Sequence, residues 1–194
     1  MKEIFDTLSY RSSEITTKLY STSFSFGIRA LDRKLHKSIY AIYGFVRLAD
    51  EIVDTFHNFD KETLLLKFKH DTHEAIKDKI SLNPILNSFQ DVVNSYNIDL
   101  DLVDTFLNSM EMDLNRTTYD ESKYEKYILG SAQVVGLMCL KVFLNGNEIQ
   151  YNKLKPHAMS LGSAFQKINF LRDIKADYSN LGRTYFPNVD MNTF

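Results

Sequence analysis

The sequence contains few of the residues that interrupt helices or form crosslinks. Gly and Pro number 7 and 3 among 194 residues, below the roughly 12% of average usage, and this scarcity favours long helices over a turn-rich β fold. A single cysteine, Cys139, excludes an intramolecular disulfide and an all-cysteine metal site. The net charge of −2 gives no positive field for nucleic-acid binding. No stretch approaches ~18 apolar residues and the N-terminus lacks an apolar signal core, so we expect a cytoplasmic protein.

Apolar residues recur at the spacing of α-helices through most of the chain. The longest stripe repeats at spacings of three and four: Ile39, Ile42, Val46, Ala49, Val53 and Phe56. Asp60, Asn83 and Asp120 are placed to cap three helices. Gly146 is placed to end a helix, and Pro156 to begin a last long helix that runs to about residue 177. The sequence therefore predicts a single all-α domain spanning residues 1–194.

Two of the predicted helices carry a stripe of polar side chains. On the first helix, spacings of four, three and four place these residues on one face: Tyr43, Arg47, Asp50 and Asp54. On the last helix, spacings of three, four and four do the same for Gln166, Asn169, Asp173 and Asp177, with Arg172 beside them. Taken alone, each stripe is more simply explained as a solvated face. Apolar residues flank both stripes, including Ile168 and Leu171 on the last helix, and this favours carboxylates that point into a cavity.

Carboxylates four residues apart on a helix suit a hard cation. Mg²⁺ takes oxygen ligands and is usually shared between a few carboxylates and the phosphates of a substrate. Arg47 and Arg172 add positive charge that attracts phosphate. Two such helices facing each other would make a polar rim at the mouth of an apolar cavity. This chemistry fits a long apolar substrate with a diphosphate head.

Five blocks of sequence carry a resemblance to a known family. In chain order they are STSF (21–24), AIYGFVRLADEIVD (41–54), YILGSAQVVG (127–136), FQKINFLRDIKAD (165–177) and GRTYFP (182–187). In these blocks the chain resembles the squalene/phytoene synthase family of head-to-head prenyltransferases, and especially its bacterial phytoene synthases. The resemblance implies an isoprenoid-synthase helical bundle whose two aspartate-rich helices face each other across a central cavity. Relatives continue for several more helices, so it also implies a domain that lacks its last helices.

The resemblance assigns roles to individual residues. It implies a catalytic set of Asp50, Asp54, Asp173, Asp177 and Tyr127. The four aspartates, together with Asn169, are the implied Mg²⁺ ligands. Implied contacts with the prenyl diphosphate are made by Ser21, Thr22, Ser23, Tyr43, Arg47, Gln166 and Arg172. Small residues that let the prenyl chain pass close to a helix are Ser131, Ala132, Val135 and Gly136. Tyr20 stands where some relatives have histidine, and Glu51 where many have a second aspartate.

The implied reaction is a Mg²⁺-dependent condensation of two prenyl diphosphates, with geranylgeranyl diphosphate giving phytoene in carotenoid biosynthesis. Two alternatives stay open. One is a C30 synthase that uses farnesyl diphosphate to make squalene or dehydrosqualene. The other is a non-catalytic helical partner that binds prenyl lipids. The expected partner is the prenyl diphosphate, without nucleic acid, and we expect peripheral membrane association for product release.

Overall fold

The computed structural model describes residues 1–114, 119–176, 178–179 and 184–187. Within these residues the protein is built from nine α-helices and one π-helical turn. They are α1 (Lys2–Tyr20), α2 (Thr22–Arg29), α3 (Arg33–Asp54), α4 (Lys61–Asp78), α5 (Pro84–Tyr96), α6 (Leu100–Met112), α7 (Glu121–Ile128), the π-helical turn (Leu129–Gln133), α8 (Val134–Phe143) and α9 (Glu148–Ala176). The prediction of an all-α fold is confirmed.

The predicted helix starts agree with the structure because side chains close in sequence set them. At three starts a side-chain oxygen accepts a hydrogen bond from a backbone N–H of the first helical turn. These bonds join Asp60 to Thr63 at 3.0 Å, Asn83 to Ile85 at 3.0 Å, and Asp120 to Lys123 at 2.8 Å. Gly146, with a φ of 73°, follows the end of α8, as predicted for a helix stop.

The prediction that Pro156 begins the last helix is wrong. α9 begins at Glu148, and Pro156 lies inside it. Asn147 provides the start, because its side-chain oxygen accepts a hydrogen bond from the Gln150 N–H at 3.1 Å. A proline inside a helix leaves the carbonyl four residues earlier without its N–H partner. Pro156 and Asn152 are both exposed, so water can reach this part of the helix.

The main core forms around α3, which packs against α1, α4, α5, α6 and α8. Phe45 of α3 is fully buried and stacks on Phe89 with ring centroids 3.8 Å apart. Phe68 and Phe106 contact the same ring from α4 and α6 at 5.6 and 5.4 Å. These contacts fix the rotation of α3, and therefore the direction in which its polar face points.

The C-terminal half is organised around the run of helix from α7 to α8. By length and composition alone, Glu121–Phe143 qualifies as a candidate membrane span, with a mean hydropathy of 1.3. Half of that apolar window is buried inside the protein. α8 packs against both α3 and α9. The two helices that carry the predicted polar faces are therefore attached to a common support.

Candidate active site

The polar face of α3 lies at the edge of the core. Tyr43, Arg47, Asp50 and Asp54 are all half-buried, whereas Ala49 and Val53, which precede two of them, are fully buried. The predicted stripe is therefore neither a fully solvated face nor a closed interior one.

Arg47 is the centre of this face. Its guanidinium donates hydrogen bonds to Asp50, at 2.5 Å, and to Glu51. The ring of Tyr20 covers the guanidinium, with 4.5 Å between the charged carbon and the ring centroid. Burial opposes the charge, but the carboxylates of Asp50 and Glu51 outweigh it and raise the pKa of Arg47. The buried Nε has no hydrogen-bond partner among the described residues, so it is a donor that an acceptor on a ligand would satisfy.

The segment from Ser21 to Ser23 lies beside the same face. Ser21 joins α1 to α2, and its hydroxyl accepts a hydrogen bond from the Phe24 N–H at 3.2 Å. The ring of Tyr43 lies 5.1 Å from that of Phe24, which is in the first turn of α2. Thr22 and Ser23 are exposed in the first turn of α2. The structure thus brings together the two N-terminal blocks that the sequence singled out.

The polar face of α9 is more open. Gln166, Asn169 and Asp173 are half-buried, while Arg172 is exposed and donates two hydrogen bonds to Asp173, at 2.8 and 2.6 Å. Asp177 lies outside the described residues.

One expectation about the flanks of this face is wrong. Phe170 is buried, but Ile168 and Leu171 are 60% and 57% exposed. The apolar flank expected to enclose the polar face is uncovered within the described residues, because α9 packs through its other sides on α7, α8 and the π-helical turn.

The two faces supply the right kind of donor for Mg²⁺ but do not form one cluster. Asp50 and Asp54 on α3, and Asn169 and Asp173 on α9, offer carboxylate and amide oxygens, the ligands that this cation prefers. Among the described residues, no group of three or more His, Cys, Asp or Glu side chains is close enough to hold one metal ion. The types of donor fit Mg²⁺, but the described residues do not bring them together into one metal site.

Tyr127 is enclosed in an aromatic cluster. Its hydroxyl donates a hydrogen bond of 2.6 Å to Asp113, and its ring lies 5.9 Å from that of Phe170. Sequence reasoning selected Tyr127 but missed Asp113, whose only signal is one acidic residue directly after an apolar helix end. The tyrosines that contact Asp113 lie 6, 14 and 72 residues away, so no local pattern could reveal them.

The small residues around the π-helical turn pack closely against α9. Gly162 of α9 approaches Ala132 so closely that an added Cβ would lie 2.9 Å from the Ala132 carbonyl oxygen. At Gly136 an added Cβ would meet the Ala158 carbonyl at 3.4 Å. Val135 is half-buried, and the Ser131 hydroxyl is buried without a hydrogen-bond partner among the described residues. Here the small side chains allow two helix backbones to approach each other.

A surface cleft of about 360 Å³ lies elsewhere, between α4 and α6. Its lining residues are Lys61, Glu62, Leu65, Leu66, Glu111 and Leu114. None of the predicted site residues lines it.

The fold is shared with solved structures of a dehydrosqualene synthase and a squalene synthase. A dehydrosqualene synthase in complex with a ligand matches with a TM-score of 0.81 and 24% identity, covering 97% of this chain and 64% of the other. A squalene synthase from Alicyclobacillus acidocaldarius matches with a TM-score of 0.81 and 22% identity, covering 95% and 68%. The all-α bundle is therefore the fold of these synthases.

The family model for squalene/phytoene synthases matches residues 17–194, and the chain belongs to that family. It is 25% identical to a 4,4'-diapophytoene synthase of Staphylococcus haemolyticus, over 96% of this chain and 65% of that protein. It is 27% identical to phytoene synthase 1, chloroplastic, of Zea mays, over 98% of this chain and 46% of that protein. The chain thus spans less than two thirds of the length of these relatives.

Proposed function

We propose that this protein is a prenyltransferase that condenses two prenyl diphosphates head to head, with geranylgeranyl diphosphate as substrate and phytoene as product. One observation carries the proposal. In a member of the squalene/phytoene synthase family, a half-buried face of α3 presents two carboxylates and an arginine. The buried Nε of that arginine has no hydrogen-bond partner in the part of the chain that the structure describes. A diphosphate is rich in the acceptors that such a donor requires.

One set of residues binds the diphosphate group of the substrate, and another set assists its departure. Arg47, Tyr43 and the Ser21 segment bind the diphosphate oxygens, and Arg172 and Gln166 approach from α9. Asp50 and Asp54, with Asn169, Asp173 and Asp177, would hold Mg²⁺. A cation held there would supply positive charge to offset the negative charge that develops on the departing diphosphate.

The reaction forms carbocations that must be protected from water. Departure of the first diphosphate leaves an allylic cation, which the double bond of the second substrate attacks. The new cation then loses a proton as the three-membered ring closes, which gives a cyclopropylcarbinyl diphosphate. A second ionisation, rearrangement and proton loss complete the hydrocarbon. Because the substrate heads are water-soluble and the product is apolar, we propose a cytoplasmic enzyme that contacts the membrane peripherally.

Two other functions have observations in their favour. The similarity to a 4,4'-diapophytoene synthase supports a C30 synthase that uses farnesyl diphosphate. The uncovered flank at Ile168 and Leu171 supports a non-catalytic partner that binds prenyl lipids.

The test is product analysis with labelled farnesyl and geranylgeranyl diphosphates, with and without Mg²⁺. We expect a C40 hydrocarbon that disappears with a chelator and with Asp50→Asn or Asp173→Asn, while far-UV circular dichroism is unchanged. The control is Asp101→Asn, which removes an exposed carboxylate on α6.

The outcomes separate the three functions. A C30 hydrocarbon from farnesyl diphosphate favours the second function. Calorimetric binding of a non-hydrolysable prenyl diphosphate, without product, favours the binding partner. Unchanged product formation by the Asp50 or Asp173 variant overturns the assignment of the two aspartate faces.

A further inference from the structure

A buried carboxylate near the end of α9 is surrounded by tyrosine hydroxyl groups. Asp113 is 3% exposed and follows the last residue of α6. Tyr127 donates to its Oδ2 at 2.6 Å, and Tyr119 and Tyr185 donate to its Oδ1 at 3.2 Å each. We call Asp113 and these three tyrosines the phenol–carboxylate cluster. Its members come from three separate segments of the chain.

These hydrogen bonds direct the hydroxyl protons of the tyrosines towards Asp113. A tyrosine hydroxyl has one proton to donate and lone pairs with which to accept. The Tyr127 proton makes the 2.6 Å bond to Asp113, so the Tyr127 oxygen presents lone pairs to other groups, one of which is the Tyr185 hydroxyl 3.5 Å away. Burial raises the pKa of Tyr127 well above its usual value, with the Asp113 charge as the next cause, so the phenol keeps its proton.

The cluster also connects the C-terminal segment to α9. Tyr185 stacks on Phe170, with ring centroids 4.3 Å apart and an angle of 15° between the rings. The Tyr119 N–H donates to the Thr184 carbonyl at 3.3 Å, which holds the segment 184–187 against the start of α7. Phe170 directly follows Asn169 and lies three residues before Asp173.

Burying a carboxylate costs a large free energy unless its oxygens accept hydrogen bonds. Replacing one partner leaves the remaining buried groups unsatisfied, so a buried polar network tends to behave as a unit. Three donors on one carboxylate therefore make the position of each tyrosine depend on Asp113.

We propose that Asp113 is a positioning residue of the active site. It directs the Tyr127 lone pairs away from itself and keeps residues 184–187 packed on Phe170, beside the polar face of α9. Its effect on catalysis rests on the proposed prenyl transfer, whereas its effect on the packing of residues 184–187 does not.

The experiment compares Asp113→Asn, Tyr127→Phe and the double variant with wild type in the prenyl diphosphate assay. Asparagine keeps the shape but has one acceptor oxygen in place of two. We expect kcat to fall by about tenfold or more for each single variant, since a tenfold change in rate corresponds to the loss of about one good hydrogen bond. KM should change by less than about threefold, because a positioning residue acts on the transition state more than on substrate binding. The double variant should be no slower than the slower single variant.

The matched control is Tyr124→Phe. Tyr124 lies in the same aromatic cluster, 6.0 Å from the Phe170 ring, but its hydroxyl makes no hydrogen bond to Asp113. We expect wild-type kcat and wild-type hydrogen exchange for this variant.

Hydrogen exchange followed by mass spectrometry tests the packing independently of activity. Peptides that contain residues 119–128 and 184–187 should exchange faster in Asp113→Asn than in wild type, while peptides from α3 and α5 stay unchanged. If Asp113→Asn fails to fold, Tyr185→Phe removes one donor and should accelerate exchange of the peptide containing residues 184–187.

Three results overturn the proposal. The first is wild-type hydrogen exchange of these peptides in Asp113→Asn or, where that variant does not fold, in Tyr185→Phe. The second is wild-type kcat in Asp113→Asn, and the third is additive losses of kcat in the double variant. Absence of product from the wild-type chain counts against the proposed function instead. In that case the exchange measurement still decides whether Asp113 holds residues 184–187 in place.

Discussion

The ion pair between Arg47 and Glu51 allows a prediction whose size follows from its burial. The two side chains are 23% and 13% exposed, and the ring of Tyr20 covers the guanidinium. Fully exposed pairs couple by about 0.2–1 kcal/mol, and loss of one partner from a fully buried pair costs about 3–5 kcal/mol. Between these limits, we expect a coupling free energy of about 1–2 kcal/mol.

The measurement is a double-mutant cycle with Arg47→Met, Glu51→Gln and the double variant, each unfolded with urea and monitored by circular dichroism. Arg47→Met should be the most destabilising single change, because it leaves the carboxylates of Asp50 and Glu51 without the charge between them. In a chain of this size, about 1 kcal/mol corresponds to a shift in melting temperature of about 2–4 °C. Because the two side chains stabilise each other, the double variant should lose less free energy of unfolding than the sum of the losses of the two single variants.

The control cycle uses Lys18 and Glu14, an exposed pair of the same i, i+4 spacing with side chains 51% and 39% exposed. Its coupling should be about 0.3–0.5 kcal/mol. If the Arg47 cycle gave no more than this control, the burial argument would be refuted, and separating Arg47 from Glu51 would cost no more than separating an exposed pair.

Three further predictions concern positions outside the polar faces. Gly130→Ala should destabilise by about 1–3 kcal/mol, because its Cβ would lie 2.5 Å from the Ser109 Cβ and 2.7 Å from the Thr105 carbonyl. Gly27→Ala should stabilise by about 0.5–1 kcal/mol, since a Cβ there meets nothing within 4 Å and the residue lies inside α2. Both are read from urea unfolding, and the opposite sign in either case contradicts the packing described. Burial raises the pKa of the Cys139 thiol to about 12, so iodoacetamide at pH 8 should label it far more slowly than after unfolding; equal rates would show an open thiol.

The parts of the fold that could be predicted are those set by neighbours in the chain. Caps at Asp60, Asn83 and Asp120 involve residues two or three positions apart, and the apolar stripe of α3 follows the period of one helix. Pro156 misled the prediction for the same reason. A proline resembles a helix start locally, and only the exposure of that side of α9 makes its interior position acceptable.

The parts of the site that could not be predicted depend on contacts between distant segments. Tyr20 and Glu51 were noticed only as departures from a family pattern, yet both lie against Arg47. Asp113 carried no motif at all, and its role depends on Tyr185, 72 residues later. The periodicity of a helix tells which residues share a face, but it does not tell which other helix covers that face.

The exposed apolar flank of α9 is one such face that helix periodicity does not describe, and it gives a last prediction. Leu161, Phe165, Ile168 and Leu171 recur at spacings of four, three and three, and each is 57–63% exposed. An apolar stripe of this kind is uncommon on a soluble monomer and binds apolar probes. We expect the chain to enhance the fluorescence of anilinonaphthalene sulfonate, and the double substitution Ile168→Ser, Leu171→Ser to reduce that enhancement while helicity is kept. Leu82→Ser is the control, because Leu82 is 92% exposed and lies in the connection between α4 and α5, away from this stripe. Equal fluorescence for the double variant and wild type would mean that these side chains are covered in solution. The flank of the polar face would then be closed, as the sequence had predicted.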